Sequence, residues 1–82
     1  MVEKVILYGK EDCGLCMGWK KKLENFNIPF DFIDVADAAN LADFTYEGFT
    51  KIPALIIGKK RFDGPKPSEI TVEQIHTYLR NE

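Results

Sequence analysis

Residues 4–9, KVILYG, form a short apolar run that closes on glycine, and two cysteines spaced C-x-x-C follow at positions 13 and 16. A continuous apolar run of this length suits a strand buried on both faces, and such a strand needs helices on either side to cover it. The residues after the cysteines supply the first of these. From Gly14 to Asn25 the positions Cys16, Trp19 and Leu23, continuing to Phe26, recur at spacings of three and four, while Lys20, Lys21, Lys22 and Glu24 are expected to face mostly outward. FDFIDV (30–35) follows Pro29 and reads as a second strand, and a strand, helix, strand unit in one sheet is parallel and right-handed. Residues 36–48 hold good helix formers with Gly48 placed as a C-cap. PALIIGKKRF (53–62) reads as a hairpin turning at Gly58. The last helix begins near Ser68 or Thr71, where TVEQ has the capping-box spacing with Gln74. The order βαβαββα predicts an α/β chain with a mixed four-stranded sheet flanked by helices, its cysteines at the joint between first strand and first helix.

Size and charge narrow the function classes. Eighty-two residues make one domain, 1–82, which buries only about 60 to 65% of its unfolded surface. With 45% hydrophobic residues and 29% charged, the chain is an ordinary globular one. A net charge of -2 offers no cationic footprint for nucleic acid or an anionic membrane. No apolar run approaches the roughly 20 residues that span a bilayer, and MVEKVILYGK is too short and too soon charged for a signal peptide. The expected location is the cytoplasm and the expected state a monomer. In that compartment a lone C-x-x-C points to metal binding or redox catalysis rather than to a structural disulfide.

The joint decides what the pair can do. At a helix N-terminus, unpaired N–H groups and the positive end of the macrodipole favour an anion, so the Cys13 thiol is expected to be acidified. Lys10 adds a cation three residues earlier, but Glu11 and Asp12 oppose it, which sets the expectation near a pKa of roughly 7. Cys16, nearly one turn further in, can attack a mixed disulfide formed at Cys13, and Gly14 and Leu15 let the small ring close. As a staple the bond is weak, since a loop of about four residues gains only roughly 2 kcal/mol. A zinc site needs about four ligands, whereas this chain has two cysteines and one distant histidine, His76. An iron–sulfur cluster shared by two chains would supply the missing thiolates, so a cluster carrier stands as an alternative. Trp19 is assigned to core packing and the run Lys20 to Lys22 to a solvated helix face.

The order strand, C-x-x-C, helix, then KIP about forty residues later and a glycine turn before the last helix, resembles the glutaredoxin branch of the thioredoxin fold along nearly the whole chain. The resemblance implies that Pro53 is cis and lies beside the reactive cysteine, and that the backbone of Ile52 pairs with an extended substrate. Within the branch, glutathione-using glutaredoxins carry C-P-Y-C and a later G-G-x-D-D. Here the pair is CGLC, Asp63 stands where the first glycine would be, and Lys66 and Pro67 stand where the acids would be. FDGPKPSEI instead resembles the W-S-G-F-R-P-D segment of NrdH-type redoxins through Gly64, Lys66 and Pro67, with Phe62 in place of the tryptophan. GFTKIPALIIG and KEDC are also similar to that group, whereas Pro65, Ser68 and Trp19 depart from it.

Together these features predict a dithiol–disulfide oxidoreductase that reduces protein disulfides. Cys13 is the expected nucleophile and Cys16 the resolving thiol. Lys10, Gly14, Leu15, Ile52, Pro53, Phe62 and Gly64 are expected to form the substrate-binding surface. The resemblance implies ribonucleotide reductase as a possible client and thioredoxin reductase as electron donor, with no metal and no bound cofactor. A glutathione-dependent glutaredoxin is the other enzymatic alternative, disfavoured by the residues at 63, 66 and 67.

Overall fold

The computed structural model describes residues 4–80; the outermost positions of the expected 1–82 domain lie outside the described residues. Its elements run β1 (Val5–Gly9), α1 (Gly14–Asn25), β2 (Phe30–Asp34), α2 (Ala38–Tyr46), β3 (Ala54–Ile57), β4 (Lys60–Asp63), a 3-10 turn (Pro67–Glu69) and α3 (Val72–Arg80). The strands form one sheet in the order β2-β1-β3-β4. β1 pairs parallel with β2 and antiparallel with β3, and β3 pairs antiparallel with β4, so the sheet is mixed as expected.

Alternation along the central strands sorts their side chains into two cores. Val5 and Leu7 of β1 and Leu55 and Ile57 of β3 join Trp19 and Leu23 of α1 and Ile75 and Leu79 of α3. The intervening Tyr8 and Ala54 join Phe44 of α2, Val35 and Phe49, with Ile6, Ile33, Ile52 and Ile56 packed around them. Thus α1 and α3 cover one face and α2 the other. Tyr8, Phe44 and Phe49 form an aromatic trio with ring centroids 5.7–5.8 Å apart.

The helix ends follow their local chemistry. Asp37 caps α2 through its carboxylate, which accepts from Ala39 N at 2.9 Å and Asn40 N at 3.3 Å. The helix therefore begins two residues later than the alanine-rich segment suggests. Gly48 follows the C-cap with φ +88°, the left-handed conformation that favours glycine. The expected start of the last helix resolves into two features: the 3-10 turn covers Ser68, and Thr71 caps α3. Gln74 N donates to Thr71 Oγ1 at 3.1 Å while Thr71 N donates to Gln74 Oε1 at 2.9 Å, a reciprocal capping box.

Two residues of α1 depart from the sequence reading. Phe26 leaves the apolar stripe: it is the C-cap, 55% exposed, because the chain turns away there and Asn27 takes φ +55°. Lys22 is half-buried rather than a solvated face residue. Its ammonium donates to Pro67 O at 2.6 Å and to Ile70 O, and the indole N–H of Trp19 donates to Pro65 O at 2.9 Å. Gly18, on the same helix, faces Pro67 so closely that an added Cβ would lie 3.2 Å from the ring. One face of α1 thus holds the segment leading into α3.

Candidate active site

The sheet register brings three chain segments to one end of the molecule. Tyr8 pairs with Ala54 and Ala54 with Asp63, so the next step of each pairing sets Gly9 beside Pro53 and Pro53 beside Gly64. Gly64 N donates to Pro53 O at 2.9 Å, which extends that contact past the strand end. The turn Lys10–Cys13, the loop Thr50–Pro53 and the start of the 64–70 segment therefore emerge together.

Cys13 sits at the N-cap of α1. Its backbone is extended (φ -97°, ψ 115°), its N–H donates to Lys10 O at 3.2 Å, and its carbonyl accepts from Met17 N at 3.0 Å. The Sγ accepts a hydrogen bond from Cys16 N at 3.2 Å. Serine, threonine or aspartate usually fills such a position, and a cysteine there places its sulfur at the positive end of the helix, where an N–H is aimed at it. Both cysteines are free thiols, Cys13 partly exposed and Cys16 wholly buried.

Burial, the largest cause, pushes the Cys16 thiol up to about 12, with the hydrogen bond between the two side chains and the charges of Cys13 and Asp12 adding to it. A backbone hydrogen bond at Lys10 works the other way. Lys10 therefore meets the pair through its main chain, on both cysteines, while its exposed side chain points to solvent. Gly14 has open space where a Cβ would stand, so packing does not demand glycine in the pair's interior. Leu15, between the two cysteines, is 44% exposed.

Around the cysteines, Pro53 is buried and follows a cis peptide bond at Ile52. The Ile52 side chain packs against the α2-side core, and among the described residues neither its N–H nor its C=O has a backbone partner. Gly64 takes φ +75°, with the Lys51 stem lying 3.0 Å from where its Cβ would be. Phe62 is placed differently from the rest. Its half-buried ring packs against Tyr78 of α3, centroids 5.5 Å apart, at the edge of the core that α1 and α3 cover.

Two further residues shape the site and were not singled out for it in the sequence. A Cβ on Gly9 would lie 2.7 Å from Cys16 Sγ and 2.8 Å from its Cβ, so only glycine lets the buried thiol sit this tightly on β1. The glycine that closes the apolar run was the visible signal. Asp63, read as an interruption of a glycine pair, binds the loop before Pro53: its carboxylate accepts from Thr50 N, Thr50 Oγ1 and Lys51 N. Among the described residues no cluster of three or more His, Cys, Asp or Glu is placed to hold a metal ion, and no helix is long and apolar enough to cross a membrane.

Comparison with known proteins agrees with this geometry. The glutaredoxin family model matches residues 5–62. The chain is 28% identical to the glutaredoxin-like protein NrdH of Escherichia coli K12 over 68 residues, 82% of this chain and 84% of that one. Among solved structures, the NrdH-redoxin of Escherichia coli superposes with a TM-score of 0.67 at 27% identity, covering 80% of this chain and 88% of the other. Thioredoxin 1 of Thermosipho africanus gives a TM-score of 0.67 at 24% identity over 93% of both chains, a likeness of thioredoxin-like fold. With the match extending from β1 through both cysteines and Pro53 into β4, the chain belongs to the glutaredoxin family.

Proposed function

We propose that the protein is a dithiol redoxin that reduces disulfides in protein clients, with Cys13 as nucleophile and Cys16 as resolving thiol. The observation that carries this reading is the asymmetry of the pair: Cys13 Sγ is partly exposed at the α1 N-terminus and accepts the Cys16 N–H, while Cys16 is buried behind it. The Cys13 thiolate attacks one sulfur of the client disulfide, forming a mixed disulfide and releasing the other client sulfur as thiolate, which takes up a proton. Bonding to the client removes the charge from Cys13, and with it two of the influences that keep Cys16 protonated. Cys16 then loses its proton and attacks Cys13 Sγ, releasing the second client thiol and closing the Cys13–Cys16 disulfide. Two electrons pass from the protein dithiol to the client.

Client recognition rests on the loop beside the cysteines. The N–H and C=O of Ile52, without backbone partners among the described residues, suit pairing with an extended chain, and Leu15 offers exposed apolar surface between the two cysteines. The resemblance to NrdH makes ribonucleotide reductase a candidate client, and a cytoplasmic, monomeric protein is the setting that fits. Thioredoxin reductase is the proposed electron donor. Glutathione is disfavoured because the Asp63 carboxylate stands where the glutathione-using members carry a glycine, and it adds negative charge where an anionic tripeptide would dock. Oxidised protein should be recycled faster by NADPH and thioredoxin reductase than by NADPH, glutathione reductase and millimolar glutathione, with NADPH consumption followed by absorbance. A faster glutathione-coupled rate with reductases from more than one source would assign the protein to the glutathione-dependent members.

A further inference from the structure

The loop that presents Ile52 is tied to the end of β4 at two points. At one, Gly64 N donates to Pro53 O at 2.9 Å. At the other, the Asp63 carboxylate accepts from Lys51 N at 2.8 Å, from Thr50 Oγ1 at 2.8 Å and from Thr50 N at 3.1 and 3.3 Å to its two oxygens. Ile52 lies between the two ties, its own N–H and C=O without a backbone partner among the described residues. Asp63 itself is exposed and belongs to neither apolar core, so these bonds serve the loop rather than the packing of the sheet. Desolvation raises its pKa, but the donors from Lys51 and Thr50 and the Lys51 charge outweigh that and hold it below the ordinary value, so the clasp is ionised at neutral pH.

We propose that Asp63 is a positioning residue for client binding: its carboxylate clasps Thr50 and Lys51 so that the Ile52 backbone meets an extended protein substrate already ordered. A loop left free would have to be fixed when the client binds, and that ordering cost would weaken binding. Asp63 touches neither reacting sulfur, so its removal should spare exchange with a disulfide too small to pair with the loop. The inference rests on the protein-client reading above.

The test compares the full chain with Asp63→Ala and Asp63→Asn on two substrates: insulin, a protein disulfide, and the small aromatic disulfide 5,5′-dithiobis(2-nitrobenzoic acid). Losing hydrogen bonds to a charged acceptor is expected to raise KM for insulin about tenfold in Asp63→Ala with kcat little changed. Asp63→Asn, which keeps one acceptor oxygen, should fall between, and should carry the comparison if the alanine variant does not fold. The second-order rate with the small disulfide should stay at the wild-type value in both. A wild-type KM for insulin in the variants would overturn the inference and leave the protein-client reading standing. A parallel loss on both substrates would overturn it too, since the effect would then lie on the cysteines or the whole fold. Wild-type protein that reduces the small disulfide but not insulin would overturn both readings together.

Discussion

Cys16 is an acid whose folded-state pKa, about 12, lies above its ordinary 9.0, and burial is the main cause. Below pH 9 both folded and unfolded chains hold that proton. As pH rises from about 9 towards 12 the unfolded chain loses it first, so this group's share of stability is present below pH 9 and lost across that window. The urea midpoint of the reduced protein should therefore fall more steeply above pH 9 than that of Cys16→Ala. The same protonation predicts selective chemistry: iodoacetamide at pH 8 should add once to the native reduced protein, at Cys13, and twice only in denaturant, as read by peptide mass spectrometry. A native adduct at Cys16 would contradict the buried, protonated thiol. The two cysteines were legible in the sequence because their spacing relative to one strand and one helix is local. The tasks of Gly9 and Asp63 were not, although Gly9 is visible as the end of the apolar run, because each acts on a partner that only the fold brings near, Cys16 across the β1–α1 joint and Thr50 across the β3–β4 pairing.

At the scale of elements, α1 does two tasks with one surface. Its N-terminus holds the cysteines, and its second and third turns grip the segment 64–70 through Trp19 and Lys22. The Lys22 ammonium also lies 5.2 Å from the Trp19 ring centroid, and burial lowers its pKa. Periodicity found the helix and its buried Trp19 and Leu23, because a stripe at three and four is a property of the helix alone. It misassigned Lys22 because a long side chain can carry its charge from an apolar flank to carbonyls of another segment, which spacing does not reveal. Lys22→Met keeps the apolar stem and removes the donors, leaving Pro67 O and Ile70 O unpaired. The variant should lose about 1 to 3 kcal/mol of stability by denaturant titration, and the amides of Lys66, Ser68 and Glu69 should exchange faster. An unchanged midpoint with unchanged exchange would show that the carbonyls find water at no cost.

Across the whole molecule, a four-stranded sheet places the ends of β1, β3 and β4 and the start of α1 within one small region. That convergence brings the partly exposed Cys13, the buried Cys16 and the Ile52 backbone to one end of the molecule, the arrangement on which the proposed mechanism rests. The alternating element order, and from it a mixed four-stranded sheet, was readable because each apolar run is short and bounded by glycine or proline, whereas the strand order β2-β1-β3-β4 emerged only in the fold. The packing of Phe62 on Tyr78 was not readable, since which face of β4 carries it depends on pairing with Leu55 and on Tyr78 arriving from the far end of the chain. The fold also makes the two cysteines unequal, and that inequality is the centre of the proposed mechanism. It is tested most directly by incubating Cys16→Ser and Cys13→Ser with a disulfide-bonded protein and resolving the products by non-reducing electrophoresis and mass spectrometry. Cys16→Ser should accumulate a covalent complex linked through Cys13, released by dithiothreitol, while Cys13→Ser should form none. A stable complex through Cys16 in the second variant, or sustained reduction without complex formation in the first, would contradict the assignment of nucleophile and resolving thiol.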